Sequence, residues 1–456
     1  MKTTYFIVAL VNILFFSEKT FSQTLYNNTE TIIIEPVGYT SQNGGTNGGF
    51  GGETVIVNTF SQLKYYAEQD NTPYIIKIDG NISGDGDVND GSYEGSVHIA
   101  SNKSIVGISN TAYLDGVGLT ITNNSNIIIR NIKMSFISIK EAISDPSHDI
   151  EGIYSALGDE GRAQILVNDG DLISLTDGCS NIWIDHCELY SEPPQNQLNK
   201  DLYDGLIDIK ENCTDITISW NYFHDHWKAF LWGGENYDRR ITFHHNRVEN
   251  INSRSPMYDA GHGHIFNNYY CKILDTGINC LDGSCVRIEN NYFEDCKDPF
   301  GVFYNSQHPD GYYHLITNKV VNCSGDIPDT SNCTLEIPYE YYIHPVTVIK
   351  ELLIQQTGPI ISTETSIRRN TSENSTKIIE KIYPVPAKDY IYIEFIDANI
   401  ENINCIITDI EGRNLITFKI YNTNPEISIK NLNPGIYVLK IYSGNQTAEN
   451  FRIVKI

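Results

Sequence analysis

The sequence predicts an all-β chain: a parallel β-helix followed by a small C-terminal domain of β-sandwich type. Three observations carry this. The segments NIIIRN (126–131), NIWIDH (181–186), DITISWN (215–221), RITFHHN (240–246), GHIFNN (263–268) and CVRIENN (285–291) share one template of alternating β-branched and polar residues. From the third onward an asparagine closes each repeat. Asn221, Asn246, Asn268, Asn291 and Asn318 follow one another at intervals of 25, 22, 23 and 27 residues, which suits one turn of a solenoid. After about Pro345 this pattern stops, and a separate set of strand segments begins at Ile379.

Length and charge narrow the function. At 456 residues the chain has room for a large repeat domain with attachments. Its 57 acidic against 32 basic residues give a net charge of −25, which excludes a nucleic-acid-binding face as the main function. A polyanionic substrate then needs a cation bound locally on the protein. A hydrophobic content of 40% with 11% aromatics argues against global disorder.

In chain order, residues 1–22 read as a secretory signal: Lys2, the apolar run FIVALVNILFF (6–16), and a cleavage point at Phe21-Ser22-Gln23. That run is too short to span a bilayer. A Gly-rich segment, SQNGGTNGGFGG (41–52), leads into TVIVNTFSQLKYYAEQ, a strand followed by a helix that would cover the open end of the stack. The solenoid is expected over 23–345, with its longest insertions at 134–170 and 190–205, where loops from a rigid stack usually carry function. The polar stretch 346–378 reads as a linker, and 379–456 as an independent β-unit. Of the ten cysteines, Cys179 and Cys213 precede repeat segments and could stack, bonded or simply packed. Cys271, Cys280, Cys285, Cys296, Cys323 and Cys333 are better disulfide candidates, with connectivity open.

The acids offer a metal site. Asp169 and Asp171 stand at i and i+2, on one face if the segment is a strand, and Asp204 and Asp208 flank GLI on the next coil. Coils stacked about 4.8 Å apart would bring four carboxylates together, an oxygen set suited to Ca²⁺. Lys228 and Arg254 lie one and two coils further on, giving a strip of metal and cations for a polymer with regular carboxylates. His244, His245, His262 and His264 are expected in hydrogen-bonding rather than zinc-binding roles. Trp183, Trp220, Trp227 and Trp232 are expected in packing, with a sugar contact as the alternative for Trp227 beside Lys228.

NIWIDHCEL, DGLIDIK, ITISWNYFHDHWKAFLWG, ITFHHN and RSPxxxxGHGHIFNNYY resemble the family 1 pectate lyases, right-handed parallel β-helices; the resemblance spans roughly residues 45 to 320. It implies β-elimination of α-1,4-linked galacturonate (pectate) with Ca²⁺, leaving 4,5-unsaturated ends. Asp169, Asp171, Asp204 and Asp208 match the family's Ca²⁺ positions, Lys228 a substrate-binding lysine, and Arg254 the catalytic arginine. One departure stands out. Where the family pattern RxPxxR ends in a substrate-gripping arginine, this chain has Asp259, so a substrate contact of altered charge is expected there. Either Arg239, Arg240 or Arg247 substitutes for the missing cation, or Asp259 binds further metal, or the uronate preference or activity is altered. A noncatalytic pectin-binding β-helix and a carboxylate-pair hydrolase are the alternatives. The C-terminal motifs YPVPAKDYIYIE, DIEGR, LNPGIYVLKI and the closing Lys455 resemble the sorting domain of the type IX secretion system. That resemblance implies passage through that machinery and a product that is released or held at the cell surface. The chain is expected to act as a monomer.

Overall fold

The computed structural model describes residues 36–158, 161–234, 238–302, 310–325, 327–341, 343–360, 379–383, 387–395, 403–409, 414–420, 425–433, 435–443 and 446–455. The expected signal segment, most of the expected linker and most of the DIEGR turn lie outside these residues.

Residues 35–372 form one compact unit. Three parallel sheets of ten, eight and nine strands run its length, and successive strands of the chain pass from one sheet to the next. One coil illustrates the path: Ile173–Thr176 in the eight-stranded sheet, Ser180–Asp185 in the ten-stranded, Glu188–Tyr190 in the nine-stranded. The next coil repeats it with Ile207–Ile209, Thr214–Ser219 and Tyr222–Lys228. Register is kept residue for residue, Ile182 on Ile216 on Ile241. Alternation therefore sends Ile182, Ile184, Ile216, Ile218, Ile241 and Phe243 into one continuous apolar core.

The closing asparagines form the expected ladder. Each side-chain amide donates to the next side-chain carbonyl: Asn221 to Asn246 at 3.0 Å, Asn246 to Asn268 at 3.2 Å, Asn268 to Asn291 at 2.9 Å and Asn291 to Asn318 at 3.1 Å. The same oxygens accept backbone N–H groups that the bend would otherwise leave orphaned, as at Asn221 N to Asn246 Oδ1, 2.9 Å. Each such bond is worth about 1 kcal/mol net, and more is lost if its partner is left unpaired in the core.

At the N-terminal end, Glu53–Val57 begins the ten-stranded sheet and the helix Phe60–Ala67 follows. Thr59 caps that helix by accepting from Gln62 N, and Phe60, Leu63 and Ala67 are buried. The Gly-rich segment is laid over the outside of the ten-stranded sheet, where Tyr39 N donates to Thr242 Oγ1 and Gly48 N to Asn126 Oδ1. Cys285 and Cys333 are disulfide-bonded. Cys179 and Cys213 are free and packed on neighbouring coils, with Cys179 N donating to Cys213 Sγ; Cys296 and Cys323 repeat the arrangement.

The expected linker starts too early. Ile349–Gln356 is a helix whose Ile349 and Leu353 are fully buried, with Lys350 paired to Glu294 at 2.6 Å. Beyond it Gly358 N donates to the Trp220 carbonyl, so the solenoid's covering extends to residue 360. Its apolar positions Ile349, Leu352 and Leu353 have helical spacing, a signal outweighed in the sequence by the polar composition that follows.

The described C-terminal residues form two antiparallel sheets. Ile379–Tyr383, Tyr390–Phe395 and Glu426–Ser428 make one; Ile403–Asp409, Asn414–Ile420, Gly435–Ser443 and Gln446–Lys455 make the other. Ile391, Ile393, Ile407, Leu439 and Ile453 build its separate core.

Candidate active site

The bend between the nine- and eight-stranded sheets orders the site residues by coil. Asp204 N donates to the Gly170 carbonyl, Leu206 N to Ala229, and Phe230 N to Arg254. Asp171, Asp204, Lys228 and Arg254 thus stand on four successive coils, about 4.8 Å apart. Asp208 joins them from Ile207–Ile209, a strand whose two isoleucines enter the core and turn the aspartate outward.

Asp171, Asp204 and Asp208 each present a carboxylate oxygen within 4.8 Å of the other two. Asp169 does not join this group. It lies on an exposed left-handed turn, φ 54°, inside Val167–Gly170, so the expectation of two carboxylates along one strand face fails. The backbone between the two acids bends there instead of extending. Asp171 is fully buried and Asp208 nearly so. Burial, with the neighbouring charge of Asp208, holds the Asp171 carboxyl well above the usual carboxylate range. Burial also raises Asp208; Lys210 opposes that shift and Asp204 adds to it. Asp171 Oδ1 is enclosed and accepts no hydrogen bond from the described residues. Gly205 keeps the space between them open, since a Cβ there would fall 2.7 Å from Asp171 Oδ1 and closer still to Asp208 Oδ1.

Two lysines face these acids. Lys228 Nζ contacts Asp204 Oδ1 at 2.8 Å and Asp201 Oδ1 at 3.2 Å. Lys210 Nζ lies 3.2 Å from Asp208 Oδ2 and 3.4 Å from Asp171 Oδ2. Burial alone would lower the Lys210 pKa, but the charges of Asp208 and Asp171 outweigh it and the pKa is raised. Sequence reasoning missed Lys210 and Asp201. Lys210 was findable: it stands at i+2 from Asp208 and so shares its strand face. Asp201 had no signal, because its partner Arg162, at 2.6 Å, comes from the other insertion. The two insertions also meet where Lys140 pairs with Glu192 at 2.6 Å and Ile165 N donates to the Leu202 carbonyl.

His226, one coil-turn residue before Trp227, supports the acid loop. Its Nε2–H donates to the Asp204 carbonyl at 3.1 Å while Nδ1 accepts from Ser191 Oγ at 2.6 Å. Full burial pushes its pKa down to about 4, so the ring is neutral. Trp227 is half-buried.

Arg254 is half-buried in a left-handed conformation, φ 60°, and its guanidinium makes no hydrogen bond or ion pair among the described residues. Asp259 stands on the outer face of its strand, since Tyr258 beside it enters the core. It is 4% exposed on Met257–Asp259, with Gly233 beside it lacking the Cβ that would crowd Asp259 Oδ2. None of the three arginines offered as replacements is spare. Arg239 is fully buried with its guanidinium on the carbonyls of Trp232, Gly233, Glu211 and Asp259. Arg240 is paired to Asp215 and Asp238, and Arg247 to Glu249 over the Tyr222 ring.

The other histidines hydrogen-bond as expected for structural residues: His244 to His245, His245 to His344, His264 to Tyr339, each at 2.7–2.8 Å, and His262 to Asp238. Trp232 and Trp183 are buried, and Trp220 stacks on His245.

A rigid parallel solenoid with clustered carboxylates and adjacent cations on one outward strip defines a polysaccharide-processing β-helix. Sequence comparison makes it specific: residues 3–349 match the pectate lyase family model, and the chain belongs to that family and is a pectate lyase. It is 41% identical over 327 residues to a pectate trisaccharide-lyase of Bacillus licheniformis, covering 70% of this chain and 85% of that one. It is 32% identical over 311 residues to pectate lyase plyB of Emericella nidulans, covering 67% and 82%. Among solved structures, a pectate lyase from Bacillus sp. N165 in complex with trigalacturonate is 32% identical with a TM-score of 0.58, covering 71% of this chain and 98% of that one. Pectate lyase II from Xanthomonas campestris pv. campestris is 26% identical, TM-score 0.56, with the same coverage. Residues 381–455 match a secretion system C-terminal sorting domain, the type IX export signal expected from the sequence.

Proposed function

We propose that this enzyme is a Ca²⁺-dependent lyase that cleaves α-1,4-galacturonan by β-elimination, acts outside the cell as a monomer after export, and uses Asp171, Asp204 and Asp208 for the cation. The observation that carries this is the convergence of two buried carboxylates, Asp171 and Asp208, with the part-exposed Asp204, which lies one coil from Lys228 and two from Arg254. Their fit to a divalent cation is independent of any relative. The donors are all hard oxygens, Asp171 Oδ1 is enclosed without a partner, and Gly205 leaves the cradle unfilled. Lys210 and Lys228 compensate these acids only in part, which leaves negative charge for a divalent cation to meet. Asp169, exposed at the rim, is at most a peripheral member of this set.

When bound, Ca²⁺ neutralises a uronate carboxylate and makes the adjacent C5 proton more acidic. Lys228, poised on Asp204 and Asp201, grips the same or a neighbouring carboxylate and fixes the ring along the coils. Arg254, whose side chain has no partner among the described residues, takes the C5 proton as a guanidine; the C5–H electron pair becomes the C4–C5 double bond, the C4–O bond to the leaving sugar breaks, and water protonates the departing oxygen. Only a neutral guanidine can accept that proton. The substrate class is supported by the trigalacturonate bound to the relative from Bacillus sp. N165.

The test is polygalacturonate against methylated pectin, each with calcium or chelator. Ultraviolet absorbance of unsaturated ends should rise on polygalacturonate with calcium only. Cleavage in chelator without that absorbance would instead show a carboxylate-driven hydrolase.

A further inference from the structure

Lys210 is not needed by the reaction as described, yet it occupies the heart of the site. Its backbone is pinned, N donating to the Leu175 carbonyl at 2.8 Å, and its side chain leaves the same strand face as Asp208. The ammonium sits 3.2 Å from Asp208 Oδ2 and 3.4 Å from Asp171 Oδ2, bridging acids contributed by two different coils. The other Asp208 oxygen is already taken, accepting from Leu231 N at 3.0 Å. This ammonium therefore holds one oxygen of each acid, and of the four carboxylate oxygens on Asp171 and Asp208 only Asp171 Oδ1 is left without a partner among the described residues. Lys210 is a third exposed, and its four-carbon stem lets the head move by several ångströms with the backbone fixed. Gly233, whose N–H donates to the Ile209 carbonyl on the neighbouring coil, carries no side chain, and the Asp259 carboxylate occupies the space beside it.

We propose that Lys210 is a built-in counter-cation that competes with the divalent ion for Asp171 and Asp208, sets the affinity of the site, and swings out along the open strip when the ion enters. This rests on the calcium reading above. In the ion-free state the lysine keeps two buried carboxylates compensated; in the loaded state its released charge lies on the strip that a polyuronate follows. The residue is a positioning residue whose effect is read in ion binding rather than in turnover alone.

The experiment is calorimetric Ca²⁺ titration of the full chain, wild type against Lys210→Met and Lys210→Arg, with melting in chelator and in saturating calcium. Lys210→Met should bind Ca²⁺ about tenfold more tightly and melt lower in chelator, while melting with the wild type when loaded. Lys210→Arg, which keeps the charge, should stay near wild type. If Lys210→Met does not fold without calcium, release of Ca²⁺ from the loaded protein into a fluorescent chelator gives the same comparison. Equal or weaker binding by Lys210→Met overturns the competition. Absence of Ca²⁺ binding in both proteins removes the calcium reading itself, and this inference with it.

Discussion

A carboxylate buried among others raises the free energy of the chain unless positive charge reaches it, and this site meets that condition with lysines placed within 3.4 Å. Arg254 is different in kind, a half-buried guanidine side chain with no partner among the described residues. Arg254→Ala should therefore lower kcat by about 10²–10⁴-fold. Calcium affinity, measured by calorimetry, should stay unchanged. A second residue-scale consequence concerns His226. Its folded pKa of about 4 lies below its ordinary 6.5, so the unfolded chain takes up a proton that the folded one refuses. Stability from this group is fully present above pH 6.5 and is lost as pH falls from 6.5 towards 4, up to about 3 kcal/mol. His264, also pushed down to about 4 by burial, acts in the same sense. The raised carboxyls of Asp171 and Asp208 act oppositely in calcium-free protein, where ionising them as pH rises costs stability. The melting temperature with calcium present should fall between pH 7 and pH 5, and less steeply in His226→Gln. The sequence showed the site's acids and cations as residue types. It did not show that Asp169 turns away, because a left-handed bend at an Asn-Asp pair resembles an extended one when only i and i+2 are counted.

At the scale of elements, the asparagine ladder is the part most legible in the sequence, since regular spacing and a fixed side-chain geometry leave one arrangement. Asn268 is its centre. Its oxygen accepts from Asn246 N and Nδ2, and its amide donates to the Phe243 carbonyl and Asn291 Oδ1. Asn268→Ala removes these and leaves fully buried donors unpaired, so it should cost about 3 kcal/mol or more, seen as a lowered denaturant midpoint. The same change at Asn318, which is less buried and ends the ladder, should cost less than half as much. The insertions at 134–170 and 190–205 were legible only as insertions. Their mutual bonds, Arg162 to Asp201 and Lys140 to Glu192, join residues 39 and 52 positions apart with no periodicity to announce them.

For the whole molecule, two cores with separate sheets make the export signal and the solenoid separable, and the boundary between them is a prediction in itself. A chain ending at residue 360 should keep the wild-type melting temperature of the solenoid and its activity. One ending at residue 345 removes the helix Ile349–Gln356 and uncovers the surface that Ile349 and Leu353 pack on. Losing two such buried side chains and the Gly358–Trp220 bond should lower stability by several kcal/mol, about 3 or more, readable in the same melting experiment.

The sequence by itself determined the coil length, the ladder, the acids and cations of the strip, and the family, because each is written in local pattern or in motifs at fixed spacing. Only the tertiary structure decided that three acids converge rather than four, that Asp259 is covered on the outer face of its strand, and that Lys210 stands among the carboxylates. Those outcomes depend on which coil a residue stacks against and on the handedness of single turns, interactions between positions that no local window of sequence contains.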